Sequence, residues 1–125
     1  MVLIYGGAYQ GKLDFARENF NLTEDAVMRV AGETEIDLSK KCVNGYHALV
    51  LSQLRVGINA LEYLTENMAN LSDKIIVCDD ISSGVVPIDH ETRAWREACG
   101  RCVTLLGGNA DEVWRVFCGI ATQLK

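Results

Sequence analysis

Short apolar runs alternate with amphipathic stretches along this chain, a pattern that predicts strands separated by helices. The first run, residues 2–5, passes into glycines, after which apolar residues recur at helical spacing over residues 12–20. A second apolar run, residues 26–31, ends at a glycine and predicts the second strand. Residues 33–45 are polar and show no clear period, so we predict a loop there.

The middle of the chain contains one run whose pattern leaves two structures open. Residues 47–51 fit either a buried strand or the start of a helix, and we favour a strand that ends near Ser52. Apolar residues then recur at helical spacing over residues 57–68, which indicates an amphipathic helix. Residues 75–78 are continuously apolar, as is typical of a buried parallel strand.

The C-terminal part of the chain predicts one long helix and one final strand. Asp89 is a suitable N-cap for a helix over residues 90–106, which we expect Gly107 and Gly108 to end. Residues 112–120 alternate in polarity and are rich in β-forming residues, so we predict the last strand there.

A phosphate-binding loop is predicted where the chain leaves the first strand. The spacing is G-x-x-x-x-G-K, in which glycines let backbone N–H groups turn toward an anion and the lysine adds a point charge. The helix that follows points its positive end at the same place. The candidate nucleotide-binding residues are Gly6, Gly7, Ala8, Tyr9, Gln10, Gly11, Lys12 and Leu13.

This loop departs from its motif at Leu13, where a Ser or Thr hydroxyl would normally bind Mg²⁺. The phosphate cradle is kept and one metal ligand is lost. A glycine-rich turn that binds nothing is the alternative interpretation, and the strand in front of the loop favours the phosphate site.

Two acids, Asp79 and Asp80, directly follow the predicted fourth strand. Carboxylates at the C-terminal edge of a parallel sheet can hold Mg²⁺ and orient a nucleophile in nucleotide-dependent enzymes. We therefore take Asp79 and Asp80 as candidate metal ligands, and Lys12 and Asp80 as candidate catalytic residues. The alternative is a polar strand end that caps the next loop.

These elements predict one α/β domain over residues 1–125, a three-layer P-loop-type domain with a mainly parallel sheet of about five strands. Right-handed crossovers would bring the phosphate loop and the two acids to one edge of that sheet. A chain of this length buries about two thirds of its unfolded surface, which is enough for a real core.

Composition and charge exclude some classes of binding partner and indicate where the protein is found. The net charge of −5 argues against a nucleic-acid or anionic-membrane surface, since both require a basic face. No apolar run is long enough to span a membrane, and no signal peptide is evident at the start, so we expect a cytoplasmic protein. Its five cysteines are expected to be reduced. Cys99 and Cys102 have redox or metal-site spacing, but a helical pair of core thiols is the better interpretation.

Beyond these patterns, the C-terminal residues are similar to a known enzyme family. The resemblance rests on Asp-Asp-Ile-Ser-Ser-Gly-Val-Val-Pro at 79–87, Arg-Ala-Trp-Arg-Glu at 93–97, Gly-Arg at 100–101, Ala-Asp-Glu-Val-Trp at 110–114 and Gly-Ile at 119–120. The chain in this part resembles the adenosylcobinamide kinase / adenosylcobinamide-phosphate guanylyltransferase family, which also opens with a Gly-Gly phosphate loop. The likeness covers residues 1–16 and 76–125 and is weak between them.

The resemblance implies a P-loop enzyme of cobalamin assembly that phosphorylates the aminopropanol arm of cobinamide and then transfers GMP through a histidine-linked guanylate. It implies ATP or GTP as substrate, a cobinamide-like corrinoid as acceptor, Mg²⁺ in an active enzyme and a homo-oligomer, a trimer in the family. Carried over, the loop glycines and Lys12 would hold the nucleotide phosphates and Asp80 would be the acid after the fourth strand. Gly84 and Pro87 would shape the following loop, and the family's helix arginines would be Arg93, Arg96 and Arg101.

The chain lacks the family segment that carries the guanylylated histidine, between the second and third strands. Its two histidines are His47 and His90, and His90 falls in the first turn of the predicted long helix. His47 lies just before the predicted third strand, where it could be a nucleophile, but a hydrogen-bonded histidine at a strand end is the better interpretation. The acid that ends the family's third strand is expected at Ser52.

Three functional hypotheses follow. The first is a shortened family member that binds a purine nucleotide and transfers a phosphoryl group to a hydroxyl. The second is a degenerate, non-catalytic nucleotide-binding or regulatory module. The third is an unrelated α/β protein whose glycine turn binds nothing.

Overall fold

Residues 1–82 and 89–125 are described by a computed structural model, and in them six strands and four α-helices are formed. The strands are β1 (Val2–Gly6), β2 (Val27–Arg29), β3 (Cys42–Asn44), β4 (Ile75–Asp79), β5 (Glu112–Phe117) and β6 (Ile120–Gln123). The helices are α1 (Lys12–Phe20), α2 (Tyr46–Arg55), α3 (Ala60–Asn67) and α4 (His90–Asn109), with 3₁₀ turns at Glu24–Ala26 and Met68–Leu71.

The strands form one sheet in the order β2-β3-β4-β1-β5-β6, in which only β5 and β6 are antiparallel. The prediction of an α/β domain with a mainly parallel sheet is therefore confirmed, with six strands in place of about five. In the register of β1 with β4, Gly6 lies opposite Asp79. The end of the first strand and the first of the two acids thus meet at the same sheet edge.

Helices cover both faces of the sheet and give the three predicted layers. On one face α1 packs against the sheet, with Ala16 buried against Ile4, Val77 and other alternate strand residues. On the other face α2, α3 and α4 pack over a larger core that includes Leu64 and Leu106. Neighbouring residues of β4 serve opposite cores because successive side chains of a strand point to opposite faces.

The predicted third strand was wrong. Residues 47–51 lie in α2, and β3 is instead Cys42–Asn44, within the segment predicted as a loop. Three residues are too few to show a strand period, and β3 is stabilised by parallel pairing with β2 and β4 on its two sides. Ser52 is consequently helical, and Asn44 is the residue that ends the third strand.

Two element ends near the C-terminus also differ from the prediction. The helix does not stop at Gly107 and Gly108 but runs through both to Asn109, because Leu106 is fully buried in the core and holds its last turns against the sheet. The predicted last strand is a hairpin, in which Cys118 and Gly119 adopt φ values of 52° and 75° between β5 and β6. Positive φ at both central residues suits the turn of a two-residue hairpin.

The cysteines are all free thiols, four buried and Cys118 exposed. Cys99 and Cys102 lie in α4 as predicted, and burial raises the pKa of the Cys99 thiol to about 12. Such a thiol stays protonated and unreactive at neutral pH. In the described part of the chain, no helix has both the length and the apolar character needed to cross a bilayer.

The helical state of Gly108 can be tested against Gly57, because an added Cβ would meet nothing within 4 Å at either position. Gly57 has a φ of +81°, whereas Gly108 lies within α4. We expect Gly108→Ala to raise the free energy of unfolding by about 0.5–1 kcal/mol through the lower entropy of the unfolded chain. Gly57→Ala should lower it by about 1–2 kcal/mol because of the strained left-handed conformation. Urea denaturation measures both, and a loss of stability in Gly108→Ala would contradict the continuous helix.

Candidate functional site

The predicted phosphate loop connects β1 to α1 at the C-terminal edge of the sheet. A Cβ at Gly6 would come within 2.2 Å of the carbonyl oxygen of Val116 in β5, so only glycine allows the two strands to approach here. Gly11, with a φ of 91°, is the N-cap of α1, and no side chain caps this helix. The first N–H groups of α1 are thus left for an anion, as the motif requires.

Lys12 is the buried cation of the site, with only 6% of its surface exposed. Its Nζ donates to the carbonyl oxygen of Gly7 at 2.6 Å and forms an ion pair with Oδ1 of Asp79 at 2.7 Å. A buried charge requires such partners because its desolvation is costly. An acid from a distant strand therefore faces the loop lysine, and that acid is Asp79.

The second predicted acid has other contacts. Oδ1 of Asp80 accepts hydrogen bonds from the Tyr5 hydroxyl at 2.9 Å and from the backbone N–H and hydroxyl of Ser82 at 2.9 and 2.7 Å. Burial, together with the nearby carboxylate, raises the pKa of Tyr5 to about 12, so its hydroxyl remains a donor. Asp80 ties the segment after β4 to β1, and its own N–H donates to the carbonyl oxygen of Gly6 at 2.7 Å.

His47 also belongs to the site, and sequence reasoning did not select it. Its Nδ1 accepts the backbone N–H of Asp79 at 3.1 Å, and its Nε2 lies 3.4 Å from Oδ2 of the same residue. Because Nδ1 is an acceptor, we assign the ring proton to Nε2, facing the carboxylate. Burial lowers the pKa of His47, Asp79 raises it, and Lys12 lowers it further. The signal in the sequence was Gly45, which lies between the end of β3 at Asn44 and the start of α2 at Tyr46.

A cavity of about 470 Å³ opens above these residues. Residues 8–14 form one wall, and the other wall includes Arg29, Asn44, Gly45, His47 and Asp79. Of the eight predicted nucleotide-binding residues, Ala8, Tyr9, Gln10, Gly11, Lys12 and Leu13 line it, while Gly6 and Gly7 form the backbone below. Asp80 is not among the residues that line this cavity.

A second helix begins at the same cavity. Gly45, with a φ of 98°, is the N-cap of α2, no side chain caps that helix, and its N–H donates to the carbonyl oxygen of Val77 at 3.0 Å. The positive ends of α1 and α2 thus both face the cavity that Lys12 lines. This edge favours an anion even though the whole chain carries a net charge of −5.

The β5–β6 turn holds the phosphate loop from the side opposite α2. The side-chain Oε1 of Gln10 accepts the N–H of Cys118 at 2.5 Å, and the backbone oxygen of Gln10 accepts the N–H of Gly119 at 3.0 Å. Sequence reasoning missed this support because it predicted one uninterrupted strand there.

The donors for Mg²⁺ are few but suitable. Asp79 offers a carboxylate beside Lys12 and Asn44 an amide oxygen at the cavity, whereas Leu13 offers none. Asp14 also lines the cavity, with its carboxylate largely exposed. Within residues 1–82 and 89–125, no group of three or more His, Cys, Asp or Glu side chains is placed to hold a metal ion. Mg²⁺ in nucleotide sites is usually held by one or two carboxylates, water and the substrate phosphates. The residues therefore fit a Mg²⁺ ion that arrives with a nucleotide.

The arginines singled out by resemblance lie on α4. Arg96 donates to the carbonyl oxygen of Ser82, which links α4 to the segment after β4. Arg101 pairs with Glu97 at 2.6 Å on an exposed face. Gly84 and Pro87 lie outside the described residues.

Comparison with known proteins gives a family and a relative. A family model described as cobinamide kinase / cobinamide phosphate guanyltransferase matches residues 42–124, well over half of the chain. The bifunctional adenosylcobalamin biosynthesis protein CobU of Salmonella typhimurium strain LT2 is 35% identical over 51 residues, which are 41% of this chain and 28% of that protein. The family match includes the middle of the chain, where the resemblance was weak, and begins after the phosphate loop. The loop geometry is thus separate evidence.

The support that Gln10 gives the loop can be tested by hydrogen exchange. Gln10→Ala removes the acceptor for the Cys118 N–H and should speed its exchange about fivefold, which corresponds to about 1 kcal/mol for one hydrogen bond. Gln10→Glu keeps an acceptor oxygen and should leave that exchange slow. Equal exchange at Cys118 in the wild type and Gln10→Ala would show that the Gln10 side chain does not hold the turn.

Proposed function

Because this chain belongs to the cobinamide kinase / cobinamide phosphate guanyltransferase family, we propose that it binds ATP or GTP at residues 6–13 and phosphorylates a hydroxyl of a cobinamide-like corrinoid. The observation that carries this proposal is the ion pair of Lys12 with Asp79, at a cavity where two helices begin without side-chain caps. Family membership supports the acceptor class, and the loop supports the nucleotide.

Nucleotide binding in this proposal uses groups that are already in place. The N–H groups at the start of α1 and the ammonium of Lys12 receive the phosphates. Lys12 is buried and held by Gly7 and Asp79, so little side-chain entropy remains to be lost on binding. The apolar Leu13 contributes its backbone N–H only.

Phosphoryl transfer would then depend on electrostatic stabilisation. Negative charge spreads over the oxygens of the transferred group, and the loop amides and Lys12 are placed to stabilise it. Mg²⁺, held by Asp79 and the nucleotide phosphates, would supply further neutralisation of that charge. Asp80 would keep the segment after β4 in position through Tyr5 and Ser82, beside the acceptor.

Guanylyl transfer is not part of the proposal. Both ring nitrogens of His47 are engaged by Asp79, which leaves no lone pair for attack on a nucleotide, and His90 lies in the first turn of α4.

A second candidate function, a nucleotide-binding or regulatory module without catalysis, is favoured by Leu13 at the position of the metal-binding hydroxyl. Homo-oligomerisation, as a trimer, belongs to both candidates, and analytical ultracentrifugation tests it.

Nucleotide binding can be measured as added stability. At a hundredfold excess over its dissociation constant, GTP or ATP with Mg²⁺ should raise the free energy of unfolding by about 2.7 kcal/mol. Lys12→Met keeps the apolar stem but removes the charge, and should abolish the increase. Lys41→Ala is the matched control, because Lys41 precedes β3 at the opposite sheet edge and donates to the backbone of Asp73. An equal increase in Lys12→Met would show that the nucleotide binds elsewhere.

Transfer of the γ-phosphate of labelled ATP or GTP to cobinamide then separates the candidates. Labelled cobinamide phosphate supports the kinase, and stabilisation without transfer supports the regulatory module. No stabilisation with any nucleotide would contradict both and leave the loop as a glycine turn that binds nothing.

A further inference from the structure

His47 joins three parts of the fold at one residue. It lies in the first turn of α2, its ring contacts Asp79 at the end of β4, and its carbonyl oxygen accepts the indole N–H of Trp95 in α4 at 2.7 Å. The rings of His47 and Trp95 lie 6.4 Å apart between centroids. The backbone at position 47 is therefore anchored by α4, while the side chain is directed at the candidate catalytic edge.

The His47 ring restrains Asp79 at two points. One nitrogen accepts the backbone N–H of Asp79 and the other lies beside its Oδ2, while Oδ1 pairs with Lys12. Each carboxylate oxygen thus has its own neighbour, which restricts rotation of the carboxylate away from Lys12. The Asp79 side chain is 26% exposed, so without His47 water would compete for Oδ2.

We propose that His47 is a positioning residue that holds the Asp79 carboxylate against Lys12, and that phosphoryl transfer depends on this placement. That phosphoryl transfer depends on this placement rests on the proposed function. The placement of Asp79 itself is argued from the contacts alone. Residues that orient a metal-binding carboxylate typically change metal affinity or activity about 10–100-fold when they are replaced.

The side chain of His47 can be removed without breaking the contact to α4, because Trp95 binds the backbone carbonyl oxygen that every residue has. His47→Ala deletes both ring contacts. His47→Gln keeps an amide that can reach the position of Nε2 and donate to Oδ2. His90→Ala is the matched control, since His90 is exposed in the first turn of α4.

The kinetic test compares the rates at which these variants transfer a phosphoryl group from ATP or GTP, with Mg²⁺, to cobinamide. We expect His47→Ala to lower kcat/KM about 10–100-fold, with nucleotide affinity in the absence of Mg²⁺ changed less than about threefold because the loop amides and Lys12 remain. His47→Gln should recover part of the loss, and His90→Ala should match the wild type. A kcat/KM of His47→Ala within about twofold of the wild type would overturn the inference.

A spectroscopic readout is independent of activity. In protein labelled with ¹⁵N, the bond from the Asp79 N–H to Nδ1 of His47 should give a scalar coupling between the two nitrogens, and its absence would overturn the placement. The indole N–H of Trp95 should exchange as slowly in His47→Ala as in the wild type, because its acceptor is the backbone carbonyl oxygen at position 47, and this would show that α4 keeps its contact.

Failure of the proposed function would be distinguishable. Wild-type protein without transfer would contradict the kinase, and the inference would then be decided by the gain in nucleotide affinity on adding Mg²⁺. His47→Ala should lower that gain about tenfold if His47 places Asp79. An unchanged gain would overturn the inference.

Discussion

The charge pair between Lys12 and Asp79 is the interaction on which the site depends. A lysine with 6% of its surface exposed is tolerated only if a carboxylate or a comparable acceptor meets its ammonium group. The parallel register of β1 with β4 supplies that carboxylate by placing Gly6 opposite Asp79. The phosphate loop contacts Lys12 through Gly7, and His47 contacts Asp79. Both members of the pair also line the cavity, so the arrangement of the site depends on this register.

Three elements that are remote in sequence surround this pair. The start of α2 faces the loop across the cavity, the turn at Cys118 and Gly119 bonds to Gln10, and α4 holds His47 through Trp95. Both sets of hydrogen bonds use backbone groups, so the site is preorganised without a strongly basic surface. An acidic protein can in this way offer an anion a local positive site.

Family membership and loop geometry support different halves of the proposed reaction. The family match covers residues 42–124 and points to corrinoid chemistry, whereas the nucleotide argument rests on the loop before it. Leu13 carries no oxygen ligand and Asn44 carries an amide, so the carboxylates that line the cavity are the exposed Asp14 and the more buried Asp79, and Asp79 is the one that pairs with Lys12. The positioning of that one group therefore matters more here than in a site with several anionic ligands.

The sequence by itself determined the elements whose stabilising features are contiguous: β1 with its glycine loop and α1, the apolar run of β4, and the N-cap of α4 at Asp89. Tertiary structure decided what depends on partners elsewhere in the chain. The three-residue strand β3 forms because it pairs with β2 and β4 on its two sides. The last predicted strand is divided into β5 and β6 because its two halves pair with each other as an antiparallel hairpin. The choice of Asp79 over Asp80 as the partner of Lys12 has the same origin, since Asp79 is the last residue of β4 and the register with β1 places it, and not Asp80, opposite Gly6.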